Sequence, residues 1–211
     1  MGVCFGTYLD KLQFGISARF QMSDPPRNRA KVRERIVRSA FKLFNRRGFT
    51  EVSIDDIMAD AGLTRGGFYS YFNSKSELYA EAVALFVDEK REGIDAMGNA
   101  MECAVLTIRD YLSLRHFEDV DTSCPLIGLP NDLSRSDGPV RAAQETALRL
   151  FVDTFERGMA ANPQGARERA LALTSLCVGG MVLARSIEDR ALADELREAA
   201  VGIALKLGGW D

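Results

Sequence analysis

The stretch from Ser53 to Lys75 leaves this chain few ways to fold. Ser53 stands three residues before Asp56, the spacing of a capping box, and Ile57 and Met58 follow as inward positions of a short helix. Ala61-Gly62-Leu63 ends that helix, and Thr64 caps a second short one, Arg65 to Tyr71. Ser74-Lys75-Ser76-Glu77 repeats the capping-box spacing and opens a long helix through Leu78, Ala82, Leu85 and Phe86 to about Ala96. Two short helices joined by a three-residue turn make a helix-turn-helix, and Gly62 supplies the positive φ that the turn needs.

The remainder reads as helix as well. From near Arg29, Val32, Ile36, Val37, Ala40, Phe41, Leu43 and Phe44 recur at three- and four-residue steps until Gly48. Further helices are expected near 99–116, 125–135, 138–161, 165–186 and 189–207, with breaks at Thr122–Pro125, Asp137-Gly138-Pro139, Asn162-Pro163 and Glu188-Asp189. Alternation of the β type is nowhere sustained. The expected fold is all-α: a three-helix domain with the helix-turn-helix over 29–75, expected to bind DNA, and a larger helical domain over 76–211, to which the family resemblance given below assigns ligand binding and dimerisation. Residues 1–28 read as a flexible extension, since Pro25-Pro26 blocks a helix from running through, and Met22 is an alternative start to Met1. No run is long enough to span a membrane, and Met1 to Phe20 lacks the basic start of a signal peptide, so a cytoplasmic protein is expected.

The formal charge of −3 hides an asymmetry. Between Pro25 and Thr50 nine basic residues face one acid, Glu34, which makes that segment +8 and leaves −11 for the rest. Such a block fits a polyanion site, though a solvated helix face explains a charge run equally simply. Cysteines at 4, 103, 124 and 177 form no CxxC pair, and His116 is the only histidine, so the usual zinc spacing is missing. With no phosphate-binding loop, paired metal ligands or credible triad, neither an enzyme nor a bound cofactor is expected.

The residues leading the second short helix are polar or small: Thr64, Arg65, Gly66 and Gly67. Two glycines at a helix start cost about 1 kcal/mol each against alanine, and close approach to a DNA backbone is a reason to keep them. Phe68 and Phe72 anchor the helix inward, while Tyr69 and Tyr71 point hydroxyls elsewhere, toward phosphates. Lys75 opens the next helix, where phosphate is also favoured, and Arg29 and Arg33 add charge from the basic block. From Arg33 to Val83, and above all in TEVSIDDIMADAGLTRGGFYSYFNSKSELY, the sequence resembles the TetR family of repressors over about a quarter of the chain. The resemblance implies that Ser53, Thr64, Arg65, Gly66, Tyr69, Tyr71 and Lys75 occupy DNA-contacting positions; the second glycine, Gly67, falls where the family is more variable.

The resemblance implies a homodimer paired through the helices near 165–186 and 189–207, a double-stranded, pseudo-palindromic operator, and a small molecule that spreads the two recognition helices through the long helix at Ser74. The apolar residues of the last two helices fit that interface or an intramolecular core. Phe86, Met101, Tyr111, His116, Phe117, Cys124, Phe151 and Phe155 are the candidate pocket residues for an apolar or aromatic effector, although such stripes also build cores. Some relatives with a cysteine near Cys124 sense reactive compounds. A thiol before Pro125 at a helix start would have a lowered pKa, so a redox- or electrophile-sensing repressor is the alternative function. A non-specific architectural DNA-binding protein is the other competing class. Trp210 reads as a tail contact.

Overall fold

The computed structural model describes residues 26–127 and 136–210. Residues 1–25 of the expected extension, with Cys4 and the Met22 start, lie outside them, as does most of the segment 125–135. The elements among the described residues are helical: α1 (Pro26–Arg47), α2 (Ile54–Asp60), a 3-10 helix (Arg65–Ser70), α3 (Lys75–Ala96), α4 (Ala100–Tyr111), α5 (Leu114–Glu118), α6 (Gly138–Gly158), α7 (Ala166–Arg185) and α8 (Arg190–Gly208). The first begins three residues before Arg29, because a proline is tolerated in the first turn of a helix.

Four elements surround one core at the N-terminal end. Ile36, Val37, Ala40 and Phe44 of α1 meet Ile57 and Met58 of α2, Phe68 and Phe72, and Leu78 of α3, all buried. Each large side chain so buried contributes about 1.5–3 kcal/mol. The turn after α2 is a Schellman motif: Leu63 N–H donates to Met58 O (2.8 Å), Gly62 N–H to Ala59 O (2.9 Å), and Gly62 has φ +67°.

The long α3 packs on α1 and α6, and α4, α6, α7 and α8 build the larger core. The helix expected over 99–116 is two helices. Arg197, buried in α8, donates to the Leu112 carbonyl (2.8 Å), and Ser113 caps α5 by accepting from His116 N–H (3.1 Å). Gly179-Gly180 does not interrupt α7. Gly180 instead lets α8 come close, since a Cβ there would lie 3.1 Å from that of Ala200. The apolar residues of α7 and α8 divide: Leu173, Met181 and Leu205 are buried, whereas Leu171, Leu183, Leu192 and Ile203 are exposed. Trp210 packs over Gly158 and Gly208, as a tail contact.

Replacing Gly62 with Val puts a β-branched residue in the left-handed region. The expected loss of stability is about 1–3 kcal/mol, read as a lower urea midpoint; an unchanged midpoint contradicts the turn described.

Candidate nucleic-acid interface and internal cavity

At the N-terminal end the leading edge of the 3-10 helix is turned outward. Tyr69 is 65% exposed, and Arg65 is exposed with a single ion pair, to Asp55 (2.8 Å). Thr64 occupies the N-cap position but its hydroxyl makes no capping hydrogen bond, unlike the cap expected. A Cβ at Gly66 would meet nothing within 4 Å, and one at Gly67 only the Met58 methyl at 3.6 Å, both with ordinary φ. Nothing inside the protein therefore requires either glycine. Ser53 accepts from Asp56 N–H (3.1 Å), and Asp56 accepts from Ser53 N–H (3.0 Å) and Oγ–H (2.7 Å), which completes the capping box. The second box is half made. Ser74 accepts from Glu77 N–H (3.0 Å), but the Glu77 carboxylate accepts instead from the Asn73 backbone and side-chain amides.

Several of the cations expected to face DNA are spent within the protein. Lys75 points its ammonium into the loop before α2, donating to the carbonyls of Phe49 (2.8 Å), Val52 (3.0 Å) and Thr50 (3.5 Å) over the Phe49 ring. Without DNA, the group expected to meet phosphate at a helix start is thus engaged by carbonyls. Arg33 pairs with Glu81 and donates to Tyr71 O while its guanidinium covers the Phe72 ring, so it ties α1 to the 3-10 helix and α3. Arg29 donates to Ser70 O and lies over the half-buried Tyr71 ring. Arg38, Lys42, Arg46 and Arg47 pair with Glu89, Asp60, Asp121 and Asp56. Lys31 and Arg35, among the described residues, make no ion pair.

A cavity of about 390 Å3 opens in the larger domain between α3, α4, α6 and the segment after α5. Phe86 and Ile94 line it from α3, Leu106 and Tyr111 from α4, Leu150 and Phe151 from α6, and Asp119, Thr122 and Cys124 from the segment. Three expected pocket residues lie elsewhere. Met101 is exposed, Phe155 is sealed in the core, and Phe117 is buried beneath the guanidiniums of Arg190 and Arg197. His116 lines the cavity with both ring nitrogens engaged, Nδ1 with Tyr111 O (2.6 Å) and Nε2 with Cys124 N–H (3.5 Å), and burial pulls its pKa down. Cys124 sits in a turn rather than at a described helix start, fully enclosed, and burial pushes its thiol up to about 11. The lowered pKa expected of it is reversed. Among the described residues no group of three His, Cys, Asp or Glu side chains converges as metal ligands do.

Residues 36–82 match the family model for bacterial regulatory proteins, tetR family. The HTH-type transcriptional regulator Rv0196 of Mycobacterium tuberculosis is 29% identical over 167 residues, 74% of this chain and 86% of that relative. The reduced form of NemR from Escherichia coli has the same fold, with a TM-score of 0.71 and 17% identity over 84% of this chain and 97% of that one. So does AibR in complex with isovaleryl coenzyme A and operator DNA, with a TM-score of 0.58 and 17% identity over 82% and 97%. Over residues 36–82 the chain carries the signature of the TetR family, and its relatives and structural neighbours are regulators of that kind. The first two curated relatives are matched over only 19% and 60% of their own length.

The chain also carries a bridge that its sequence did not advertise. Asn45 of α1 donates through Nδ2 to the carbonyls of Ser123 (2.9 Å) and Asp121 (3.3 Å), and Arg46 pairs with Asp121. From the opposite side Arg185 of α7 donates to Phe117 O (3.2 Å), Asp119 O (3.1 Å) and Ser123 Oγ (2.7 Å). Residues 119–124, which wall the cavity, are thus gripped by α1 on one side and by α7 on the other. Phe86, also in the cavity wall, stacks on Phe41 of α1 with centroids 5.5 Å apart. Only the Phe86 part was accessible to sequence reasoning. The signals at Asn45 and Arg185, a lone amide and a helix-ending cation, are indistinguishable from ordinary surface residues.

Lys75→Ala is expected to cost about 1–3 kcal/mol of folding stability, since charged hydrogen bonds are lost. An unchanged denaturation midpoint, with a shallower salt dependence of DNA binding, would favour the phosphate reading. At pH 7.5 native Cys124 should be alkylated by iodoacetamide about a hundredfold more slowly than an ordinary cysteine, from its smaller thiolate fraction. Site-resolved mass spectrometry checks this, and labelling at the ordinary rate contradicts the buried thiol.

Proposed function

We propose that this chain is a ligand-responsive, sequence-specific DNA-binding transcriptional regulator of the cytoplasm, a homodimeric repressor released from a palindromic operator by a small molecule, and not an enzyme. The observation that carries the reading is the outward edge Thr64–Tyr69. It pairs an exposed cation and an exposed tyrosine with two glycines that no internal contact demands, which suits close approach to a duplex. Thr64, Arg65, Gly66 and Tyr69 face the DNA, with Gly67 and Ser53 behind them. Lys75, Arg33 and Arg29 brace that surface from within.

Dimerisation is supported by Leu171, Leu183, Leu192 and Ile203, large apolar side chains left exposed on α7 and α8. A two-fold pair of identical subunits reads an inverted repeat. Release by a ligand is supported by the cavity and its two links to α1, the Phe41–Phe86 stack and the Asn45 bridge. A ligand that reshapes residues 119–124 or turns Phe86 alters the seat of the DNA-binding domain, and so the spacing of the two reading helices. That spacing must match one helical turn, about 34–36 Å. The enclosed thiol speaks against the redox reading through Cys124.

Selection of bound fragments from randomised double-stranded DNA at physiological salt tests the proposal. The expected result is an enriched inverted repeat. On that duplex Arg65→Ala should bind about 5- to 150-fold more weakly, the worth of a good base contact, with no change in thermal midpoint. Equal affinity for random and selected DNA would establish the architectural class instead, and absence of binding would refute the proposal.

A further inference from the structure

One polar atom in the cavity wall lacks a partner. Tyr111 is 4% exposed, it lines the cavity, and its hydroxyl has no oxygen or nitrogen partner. The side chain it interacts with is the Cys124 thiol, only a weak donor and a weak acceptor. The ring is wedged edge-on between His116 (4.8 Å) and Phe151 (5.0 Å), which fixes where the hydroxyl points. Buried hydroxyls are almost always satisfied, and an exception calls for an explanation.

We infer that the cavity takes an uncharged, mainly aromatic ligand bearing a carbonyl-type oxygen, and that Tyr111 Oη donates a hydrogen bond to that oxygen. The inference rests on the ligand-sensing reading above and specifies its ligand. Burial holds the phenol protonated, so the hydroxyl has a proton to give. The groups around it are neutral: burial keeps Cys124 a thiol, and His116 is uncharged with both nitrogens occupied. An ionised ligand group would lose its hydration there without gaining a counter-ion. Of the cavity's charged residues, Glu89, Lys90, Asp110 and Arg115 are solvent-exposed, with Lys90 over the Phe86 ring and Arg115 paired to Asp110, and half-buried Asp119 accepts from Thr122 N–H (3.1 Å). Arg185 lies outside the lining, and its donors are spent on the 117–123 segment. Phe86, Tyr111 and Phe151 offer faces and edges suited to an aromatic ring. At about 30 Å3 per water-sized group, 390 Å3 holds roughly a dozen non-hydrogen atoms.

Equilibrium dialysis of the full chain against benzophenone, diphenylmethane and diphenylacetate tests this. The three differ in the acceptor and the charge on one two-ring frame. Benzophenone should bind about tenfold more tightly than diphenylmethane, the worth of one hydrogen bond that also relieves a buried unpaired group, and diphenylacetate should bind most weakly. Tyr111→Phe should abolish the preference for the ketone and leave diphenylmethane binding unchanged, with the helical circular dichroism retained. The inference is overturned if the wild-type chain binds ketone and hydrocarbon equally, if the preference survives in Tyr111→Phe, or if diphenylacetate binds best. Each of those results leaves a cavity that binds small molecules. Failure of all three probes to bind overturns the inference and removes the support for ligand sensing as well. The wild-type comparison decides even if the variant does not fold.

Discussion

Everything else in this structure is hung on α3. Its buried stripe of Leu78, Tyr79, Ala82, Val83, Phe86 and Val87 closes the N-terminal core at one end and the wall of the cavity at the other. A helix is a rod whose successive turns are locked by backbone hydrogen bonds, so its two ends do not move independently. Ser74 caps the rod directly after the 3-10 helix, and Phe86, three turns on, sits between the cavity and Phe41. The same side chain is therefore wall to one domain and floor to the other.

The segment 119–124 provides the second coupling, by polar rather than apolar means. It has no regular structure of its own to hold it, and its Asp119, Asp121 and Ser123 carbonyls accept from Arg185 and Asn45. Backbone groups fixed in this way are a two-sided seat: what displaces them from the cavity side strains the contacts on the α1 side. The ion pairs of α1 act with it. Exposed pairs such as Arg38–Glu89 and Arg46–Asp121 contribute only about 0–1 kcal/mol each. Their effect is to set where α1 lies, and to leave less unpaired charge than the run of nine cations suggests.

What could be read from sequence follows from how local the determining contacts are. The Ser53–Asp56 box, the Gly62 turn and the inward Phe68 and Phe72 all depend on neighbours within a few positions, so spacing alone reveals them. The internal partners of Lys75 and Arg33 were illegible because they lie 23 to 48 residues away. A cation at a helix start looks the same whether it faces phosphate or a carbonyl cage. Phe86 and Phe151 wall a cavity while Phe117 and Phe155 fill core, yet all four carry the same periodic signature. Cys124 failed as an activated thiol because enclosure, a property of the whole fold, overrides the local motif.

The helix-turn-helix proposed to read DNA and the cavity form one coupled body on this view, and coupling between sites is reciprocal. DNA must then be felt at the cavity. Backbone hydrogen exchange with and without the selected duplex measures this directly. Changed protection is predicted at residues 64–75 and also at 86–94 and 119–124. Changes confined to the helix-turn-helix, with the cavity wall unaffected, would contradict the coupling.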